Sequence, residues 1–414
     1  MATLQPTEVL RGQIIAPNLA SRQFKANPYP FYARLRAEAP FYRTTLPDRQ
    51  VAWLVSRYED VLMVLKDERF AKDRFATMTP EQHAKMPWMP GLLKPLAHNM
   101  LDQDGANHTR LRTLVHKAFT PRLIERLRER TQAVCDALLN AAQPNRRIDL
   151  IHEYALPLPV TIISELLGVP PQDRHKFQAW SKRIVSSSSS SDLLLALPAI
   201  WLFIRYLRGL FKLRRADPQD DLITALVQAE EAGDVLSEDE LLGMVFLLLV
   251  AGHETTVNLI GSGTLALLQN PEQLDLLRQN PTLIKPAIEE LLRYTSPVDI
   301  ATERFAREDI TIGEVTIPRG EQVLAVLGSA NRDERQFTNP DILDITREPN
   351  KHLAFGHGIH FCLGAPLARL EGQIAVNTLL QRMPKLRLTG TEQALRWRKG
   401  VFLRGLEQLP LAFA

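Results

Sequence analysis

Apolar residues recur every three or four positions along much of this chain, which is the spacing of helices that bury one face. This pattern predicts helices over Tyr58–Lys66, His108–Ala118, Arg122–Ala142, Val160–Leu167, Asp220–Glu231 and Gly364–Gln381. Short runs of β-branched residues near glycine turns predict strands at Val51–Val55, Ile310–Ile312, Val315–Ile317 and Gln322–Leu327. We therefore expect a mainly α fold with small β-sheets.

The longest predicted helix begins at Ser237, which forms a capping-box pattern with Glu240. Its apolar pattern continues to Gln269, and its middle is almost entirely apolar, as expected for a helix that crosses the core. A run of six serines, Ser186–Ser191, is predicted to be a flexible loop. The apolar stretch after it, Leu193–Ile204, is interrupted by a proline and is too short to span a bilayer.

The overall composition is that of an ordinary globular protein, with 45% hydrophobic and 23% charged residues. Lys and Arg total 50 and Asp and Glu total 47, and this balance argues against a dedicated nucleic-acid binder. Two cysteines are too few for a disulfide framework, and we see no signal peptide, transmembrane segment or interdomain linker. We expect one domain over residues 1–414, without a fused reductase, in the cytoplasm.

The first chemical motif is the glycine-rich segment Phe355–Gly364, which contains Cys362. Its glycines allow a tight turn, and a helix is predicted to start just after the cysteine, where free N–H groups favour a thiolate. A structural cysteine in a turn is the alternative, and that is our interpretation of Cys135. Zinc binding by Cys362 with His357 and His360 lacks the further ligands that a structural zinc site needs.

The second motif is Ala251–Thr256, in the middle of the longest helix. A glycine, an acid and two hydroxyls in an apolar helix are costly, so a helix selected only for stability would avoid them. Thr255 can donate a hydrogen bond to the carbonyl of Ala251 and loosen the helix. A helix kink with satisfied polar groups is the alternative, and a zinc-protease motif is excluded because Val257 occupies the position of its second histidine.

The third motif is Glu290 with Arg293, two charges on one helix face, which alone would indicate only a surface ion pair. The three motifs, in this order, resemble the cytochrome P-450 superfamily of haem-thiolate monooxygenases, and the likeness to its soluble bacterial members covers nearly the whole chain. The resemblance implies haem b between the long helix and the cysteine loop, with Cys362 as the axial iron ligand. It also implies that Arg347 joins Glu290 and Arg293 in a buried structural triad.

Further matches to this family concern the cofactor and the substrate. Phe355 and Gly356 belong to its haem-binding segment, and His108, Arg112, Arg304 and His360 match residues that bind the haem propionates, where cationic partners suit two carboxylates. The resemblance places the following residues in the substrate pocket: Met86, Trp88, Met89, Leu93, Val250, Ala251, Ile300, Ala301, Val401 and Phe402. This lining is apolar, so a hydrophobic small molecule is the expected substrate.

The implied reaction inserts one atom of O2 into the substrate, by hydroxylation or epoxidation, and releases the other as water. Electrons would come from NAD(P)H through a ferredoxin or flavodoxin with its reductase. Glu254 and Thr255 match the acid–alcohol pair that delivers protons to the dioxygen being reduced. A peroxide-driven peroxygenase and a non-catalytic haem sensor or ligand carrier remain alternatives, against which this intact pair argues.

A basic segment near the cysteine loop suggests where the electron donor docks. The residues Arg110, Arg112, Lys117, Arg122, Arg126 and Arg128 occur against one acid, Glu125. Because the family places this segment on the cysteine side of the haem, we expect a surface there that attracts an acidic redox protein.

Overall fold

A computed structural model describes residues 14–47, 49–78, 91–97, 99–185, 190–231 and 236–414. The α-helices of this part of the chain are α1 (Arg22–Ala26), α2 (Tyr29–Glu38), α3 (Tyr58–Lys66), α4 (Arg74–Thr77), α5 (Gly105–Ala118), α6 (Pro121–Ala142), α7 (Pro157–Leu166), α8 (Arg174–Val185), α9 (Ser190–Ala216), α10 (Leu222–Glu231), α11 (Glu238–Gln269), α12 (Pro271–Gln279), α13 (Ile284–Thr295), α14 (Leu327–Ala330) and α15 (Ala365–Arg382). The strands are β1 (Phe41–Thr45), β2 (Val51–Val55), β3 (Phe70–Ala71), β4 (Arg147–Asp149), β5 (Arg304–Ala306), β6 (Ile310–Ile312), β7 (Val315–Ile317), β8 (Gln322–Ala325), β9 (Arg387–Leu388) and β10 (Pro410–Ala412).

The mainly helical fold with small sheets is confirmed, and so are most of the predicted elements. The capping box of α11 is present: the Ser237 hydroxyl accepts the N–H of Glu240, and the Glu240 carboxylate accepts the N–H of Ser237. The prediction for β8 was too long, because the strand ends at Ala325 and Leu327 already begins α14.

The predicted flexible loop at Ser186–Ser191 was wrong for the last two serines of the run. Ser190 and the serine after it belong to α9, while the first four serines lie outside the described residues. Pro198, which interrupts the apolar pattern, lies inside this helix. A proline in a helix costs roughly 3 kcal/mol. The buried inner face of α9, including Ile200 and Phe203, offsets that cost through apolar burial.

The strands form three small sheets. The largest has the order β1-β2-β8-β5-β3, with β2 and β8 parallel and the other pairs antiparallel. The second has the order β4-β10-β9, and β6 pairs with β7. Strand β5 carries Arg304 in the largest sheet, so this side chain projects from a fixed backbone.

Helix α11 crosses the core and contacts α7, α13 and α15. It approaches α15 so closely that a Cβ atom at Gly372 would lie 2.9 Å from Cδ2 of Leu259. By length and composition α11 could cross a membrane, but 56% of its most apolar 18-residue stretch is buried inside the protein. The helix therefore has the burial of a core helix.

Glu290, Arg293 and Arg347 lie together in a buried ion-pair cluster. Arg293 donates two hydrogen bonds of 2.7 Å to the Glu290 carboxylate, and Arg347 donates to the same oxygens at 3.2 Å. The side chains of Glu290 and Arg293 are both 0% exposed. The spare donors of Arg293 bind the carbonyls of Asn331 and Pro340, so the cluster ties α13 to the segment after α14.

Replacing Glu290 with alanine leaves two buried cations without their carboxylate. We expect Glu290→Ala to lower the free energy of unfolding by about 3–5 kcal/mol, because breaking a buried pair strands its partner. The control Glu38→Ala removes an exposed pair with Arg34 and should cost less than about 0.5 kcal/mol. Urea unfolding measures both, and equal losses would contradict the assigned role of the cluster.

Glu371 on α15 is a second buried carboxyl, and it has no cationic partner among the described residues. It interacts with Thr256 of α11, and its Oε2 atom has no hydrogen-bond partner. Burial raises the pKa of Glu371 to about 8, although the interaction with Thr256 acts in the opposite direction. The folded protein therefore holds a proton on Glu371 at pH values where the unfolded chain releases it.

This raised pKa gives stability a defined pH dependence. Between the ordinary glutamate pKa of about 4.5 and the folded value of about 8, the stabilising contribution of the protonated form is lost as pH rises. Glu371→Gln cannot ionise, so its stability relative to wild type should rise by up to about 1.4 kcal/mol per pH unit across this window. A constant difference between the two proteins, measured by urea unfolding at several pH values, would show that Glu371 is ionised in the folded state.

Candidate functional site

The cysteine loop is held in a tight turn by its glycines. Gly356 and Gly358 have φ angles of +69° and +74°, which side-chain-bearing residues rarely adopt. A Cβ atom at Gly358 would lie 2.6 Å from the carbonyl oxygen of Leu65, so this position also lacks room for a side chain. The N–H of Cys362 donates to the carbonyl of Phe355 at 3.0 Å and closes the loop. The predicted tight turn is confirmed.

Cys362 lies just before α15, as predicted. Burial raises the pKa of the Cys362 thiol, while the N–H of Gly364 and the charge of Arg112 act in the opposite direction. The expected helix-end contacts are thus present but weaker than the effect of burial. A metal ion on the sulfur would reverse this balance, because a coordinating thiol is deprotonated.

The surroundings of the two cysteines bear on two alternatives, zinc binding at Cys362 and a structural role for Cys135. Within the described residues, no group of three His, Cys, Asp or Glu side chains could hold a metal ion. His357 instead accepts the N–H of Gly358 with its Nδ1 atom, at 2.7 Å. Cys135 is fully buried in the helical core, and burial raises the pKa of its thiol to about 12. Such a thiol is chemically inert, which supports the structural interpretation of Cys135.

The four side chains expected to bind propionates come from three separate parts of the chain. Arg112 on α5 donates to the carbonyl of Phe361 at 2.6 Å, which places α5 against the cysteine loop. The rings of His108 and His360 lie 4.3 Å apart between centroids. Arg304 is buried, and its positive charge lowers the pKa of His360, after burial itself. The structure therefore brings these four residues together.

This cationic cluster has buried nitrogen atoms without partners. Both ring nitrogens of His108, Nε2 of His360 and Nε of Arg304 lack a hydrogen-bond partner in the described part of the chain. Burial, followed by the charges of His360 and Arg112, lowers the pKa of His108 to about 4, so this ring is neutral at pH 7 and only one of its nitrogens donates. Burial also lowers the pKa of Arg304 to about 10, which leaves it charged at pH 7. The unpartnered N–H groups and the guanidinium charges favour an anionic group here.

Asp104 and Lys72 complete this region and were missed from the sequence. Asp104 accepts the backbone N–H groups of Lys72 and Asp73 at 2.9 Å, binds Arg307 at 3.0 Å and lies 3.8 Å from His360. Burial opposes ionisation, but these contacts hold the pKa of Asp104 well below its usual value. Burial and then the charge of Arg304 lower the pKa of Lys72 to about 7. Only the position of Asp104 before a predicted helix offered a sequence signal.

The polar segment of α11 differs from the apolar helix around it. The Thr255 hydroxyl donates to the carbonyl of Ala251 at 3.0 Å, as predicted. Glu254 and Thr255 are partly accessible, whereas the following turns of α11 are buried. The alternative of a kink with satisfied polar groups applies to His253, which is buried and bonds the carbonyl of Leu249. Glu254 and Thr255 have partners as well, so only their accessibility separates them from that alternative.

Glu254 has a partner that the sequence did not reveal. Nη1 of Arg398 lies 2.8 Å from Oε1 of Glu254, and the same guanidinium also donates to the carbonyl of Leu406. The two residues are 144 positions apart. No local pattern identifies such a pair, because its formation depends on the C-terminal turn folding over α11.

The residues predicted to line the substrate pocket have mixed surroundings. Leu93 and Val250 are half-buried and Ala251 is accessible, while Met86, Trp88 and Met89 lie outside the described residues. Ile300 is fully buried in an apolar cluster against which Val401 and Phe402 pack, and Ala301 packs on a neighbouring cluster. Their assignment to a pocket stays a prediction.

These residues fit a haem. A cysteine sulfur lies in a loop shaped by glycines, and buried donors without partners lie beside it, as two carboxylates of a cofactor require. The accessible polar pair lies on the long helix α11. Phe355 adds an aromatic ring under the loop, with the guanidinium of Arg369 4.6 Å from its centroid.

Comparison with known proteins gives the same result. The cytochrome P450 family model matches residues 210–393. The chain is 47% identical to the polyketide biosynthesis cytochrome P450 PksS of Bacillus subtilis over 95% of this chain and 97% of that protein. It is 46% identical to the cytochrome P450 monooxygenase PikC of Streptomyces venezuelae over 94% of this chain and 92% of that protein.

Solved structures agree with these sequence relatives. The PksS structure superposes with a TM-score of 0.90 at 45% identity and covers 96% of this chain and 100% of that chain. A myxobacterial cytochrome P450 in complex with myristic acid superposes with a TM-score of 0.89 at 42% identity, over 96% and 99% of the two chains. This chain therefore belongs to the cytochrome P450 family and is a monooxygenase whose cofactor is haem b.

Proposed function

We propose that this enzyme hydroxylates or epoxidises a hydrophobic small molecule in the cytoplasm, with electrons from a ferredoxin or flavodoxin and its NAD(P)H-dependent reductase. The observation that carries the proposal is the accessible pair Glu254 and Thr255 in the middle of a long apolar helix whose following turns are buried. An acid and a hydroxyl placed there suit proton delivery and thus turnover with O2, rather than ligand carriage.

Two groups of residues would hold the cofactor. Cys362 would bind the iron, and His108, Arg112, Arg304 and His360 would bind the two carboxylates. When bound, the haem supplies the iron at which dioxygen is activated. Asp104 accepts the backbone N–H of Lys72 and lies beside His360, so it would position His360. Glu290 and its arginines fix the segment that leads into the cysteine loop.

Protons would pass along atoms of α11. The carbonyl of Ala251 accepts the hydrogen of Thr255, which fixes the hydroxyl oxygen and leaves its lone pairs to accept a proton. Arg398 binds Oε1 of Glu254, so Oε2 is the atom at which a proton from solvent can arrive. The ion pair with Arg398 also restricts the side-chain conformation of Glu254.

The substrate class follows from the apolar residues beside this pair. Leu93, Val250 and Ala251 offer no charge, so binding would depend on apolar contact. A relative that is 45% identical is a vitamin D(3) 25-hydroxylase of Pseudonocardia autotrophica, and another structure contains myristic acid. Titrating a panel of sterols, fatty acids and macrolides while following the Soret band would identify the ligands.

The partner surface proposed from the sequence needs revision. Arg110 pairs with Glu240, Arg126 with Asp220 and Arg128 with Glu125, so acids partly neutralise the basic segment. Arg122 is exposed and has no ion-pair partner in the described structure. Beside Cys362, the side chains of Ile359 and Phe361 are 49% and 39% exposed. We propose that this apolar patch, together with the charge of Arg122, receives the acidic redox protein.

The ligand assignment is tested by substituting the two cysteines. Cys362→Ser should lose the red-shifted Soret band of the reduced carbon monoxide complex, because that band requires thiolate ligation. Cys135→Ser should keep the band, since this thiol is buried in the core. If only Cys135→Ser lost the band, the iron ligand would be Cys135 and the assignment of Cys362 would be wrong.

The proton-delivery role is tested by Thr255→Ala. The variant should bind haem and substrate but should release about tenfold more hydrogen peroxide per product, because protons are misdirected. NADPH consumption, peroxide and product are measured together. Ser164→Ala is the matched control, since its hydroxyl also bonds a carbonyl four residues earlier, on α7. Unchanged coupling in Thr255→Ala would remove this hydroxyl from the proposal.

The docking surface is tested by Arg122→Glu. Reductase-driven turnover with an acidic ferredoxin should fall roughly threefold at low ionic strength and less at high ionic strength, because salt screens the charge. Turnover driven by added peroxide should not change, since it needs no partner. Arg147→Glu, on β4, is the control. An equal loss in the peroxide-driven rate would mean that the substitution damages the enzyme itself.

A further inference from the structure

The outer face of α9 carries an unusual set of exposed apolar side chains. Leu195, Trp201, Leu202 and Leu213 are 65%, 49%, 39% and 47% exposed. They span 18 residues of one helix, or about 27 Å. Isolated exposed apolar residues are common, but several on one helix mark a contact surface.

This outer face is not needed for packing the helix. The inner face of α9 is already buried through the following residues: Ala196, Ile200, Phe203, Ile204, Leu207, Leu210 and Phe211. Beside the outer face lies a groove of about 370 Å³, lined in part by Pro170, Trp180, Leu202, Gly209 and Leu213. The helix therefore presents apolar surface both to the core and to solvent.

The charge on this segment has one sign. Residues 193–216 contain five Lys or Arg side chains and no Asp or Glu, and the one acid of α9, Asp192, precedes them. Arg205 lies 5.3 Å over the ring of Trp201, and Lys212 is exposed one position before Leu213. Asp173, an acid of the groove wall, is itself paired with Lys176. Apolar and cationic groups thus occupy the same exposed face.

Two of the other three basic residues pair with acids outside α9: Arg208 binds Glu238 and Asp239, and Arg214 is buried against Asp221. The third, Arg215, is exposed but has interactions of its own, so the positive charge used here is that of Arg205 and Lys212. Leucines, a tryptophan and adjacent Arg and Lys side chains are the combination that binds the interface of an anionic bilayer.

We propose that the outer face of α9 docks on the surface of an anionic phospholipid bilayer. A second copy of the chain is a poorer occupant, because a two-fold contact would bring Arg205 and Lys212 toward their own equivalents without an acid on the segment. A line of apolar side chains about 27 Å long also suits an extended lipid surface.

Docking there would affect access to the functional site. Phe203 on the inner face of α9 contacts Phe246 of α11, with 6.2 Å between ring centroids, one turn before Val250. A bilayer against α9 would place dissolved apolar molecules next to this part of the protein. The proposal goes beyond the proposed oxidation and does not depend on it, because lipid binding is measured without turnover.

The test is flotation of the haem-loaded enzyme with vesicles. Wild type should bind vesicles of equal parts phosphatidylcholine and phosphatidylglycerol, and should bind phosphatidylcholine vesicles much more weakly. The double variant Leu195→Ser/Leu213→Ser and the double variant Arg205→Gln/Lys212→Gln should each bind the anionic vesicles about tenfold more weakly. Only the second should also lose the sensitivity to salt.

Matched controls change equivalent residues elsewhere. Ile342→Ser removes a side chain that is 58% exposed on another surface, and Arg147→Gln removes an exposed charge on β4; both should bind like wild type. The carbon monoxide spectrum and the melting temperature should be the same in all variants, which excludes misfolding as the cause.

Four results would overturn the proposal. The first is that wild type does not float with anionic vesicles, and the second is that the α9 variants float as well as wild type. The third is a dimer in gel filtration that the leucine variant converts to a monomer while no protein floats, which would assign the face to a second copy of the chain. Retention of wild type but not the variants on an immobilised acidic protein, without flotation, would likewise assign the face to a protein partner.

Discussion

Between α14 and α15 the chain runs for more than thirty residues with little regular structure, so its buried carbonyls need donors from side chains. Glu290 orients two guanidinium groups that supply them. Arg293 reaches the carbonyls of Asn331 and Pro340, and Arg347 reaches those of Thr338 and Ile342. The carboxylate accepts hydrogen bonds from both guanidinium groups, so the route of this segment depends on one acid.

The position of the cysteine loop depends on this ion-pair cluster of Glu290, Arg293 and Arg347. Asn331, whose carbonyl binds Arg293, accepts the N–H of Leu353 with its side chain at 2.7 Å. Two residues later the loop of Phe355 begins, and its glycines turn the chain back toward Cys362. A buried ion pair on one helix thus fixes a thiol on another segment. The cationic cluster near that thiol does not depend on this ion pair, because its side chains come from α5, β5 and the cysteine loop.

Elements with a strong local signal could be predicted from the sequence. The capping box of α11, the strand Val51–Val55 and the helix Tyr58–Lys66 all depend on neighbouring residues, and the structure places them as expected. The helix through Pro198 could not be predicted, because the proline penalty is local while the burial that offsets it comes from distant helices.

The functional site shows the same division. Cys362 and Glu254 stood out because their local sequences are costly or distinctive for an ordinary fold. Arg398 and Lys72 did not, since each is an ordinary basic residue until the fold places it beside Glu254 or Arg304. The family resemblance supplied the cationic cluster, which periodicity alone would not have revealed.

The three-stranded sheet has a consequence for biosynthesis. Its middle strand, β10, pairs with β4 on one side and β9 on the other, although it follows both in sequence. During translation the two outer strands emerge from the ribosome with unpaired edges and stay so until residues 410–412 appear. This sheet therefore completes late, and a ribosome that stalls shortly before these residues would leave two open strand edges available for aggregation.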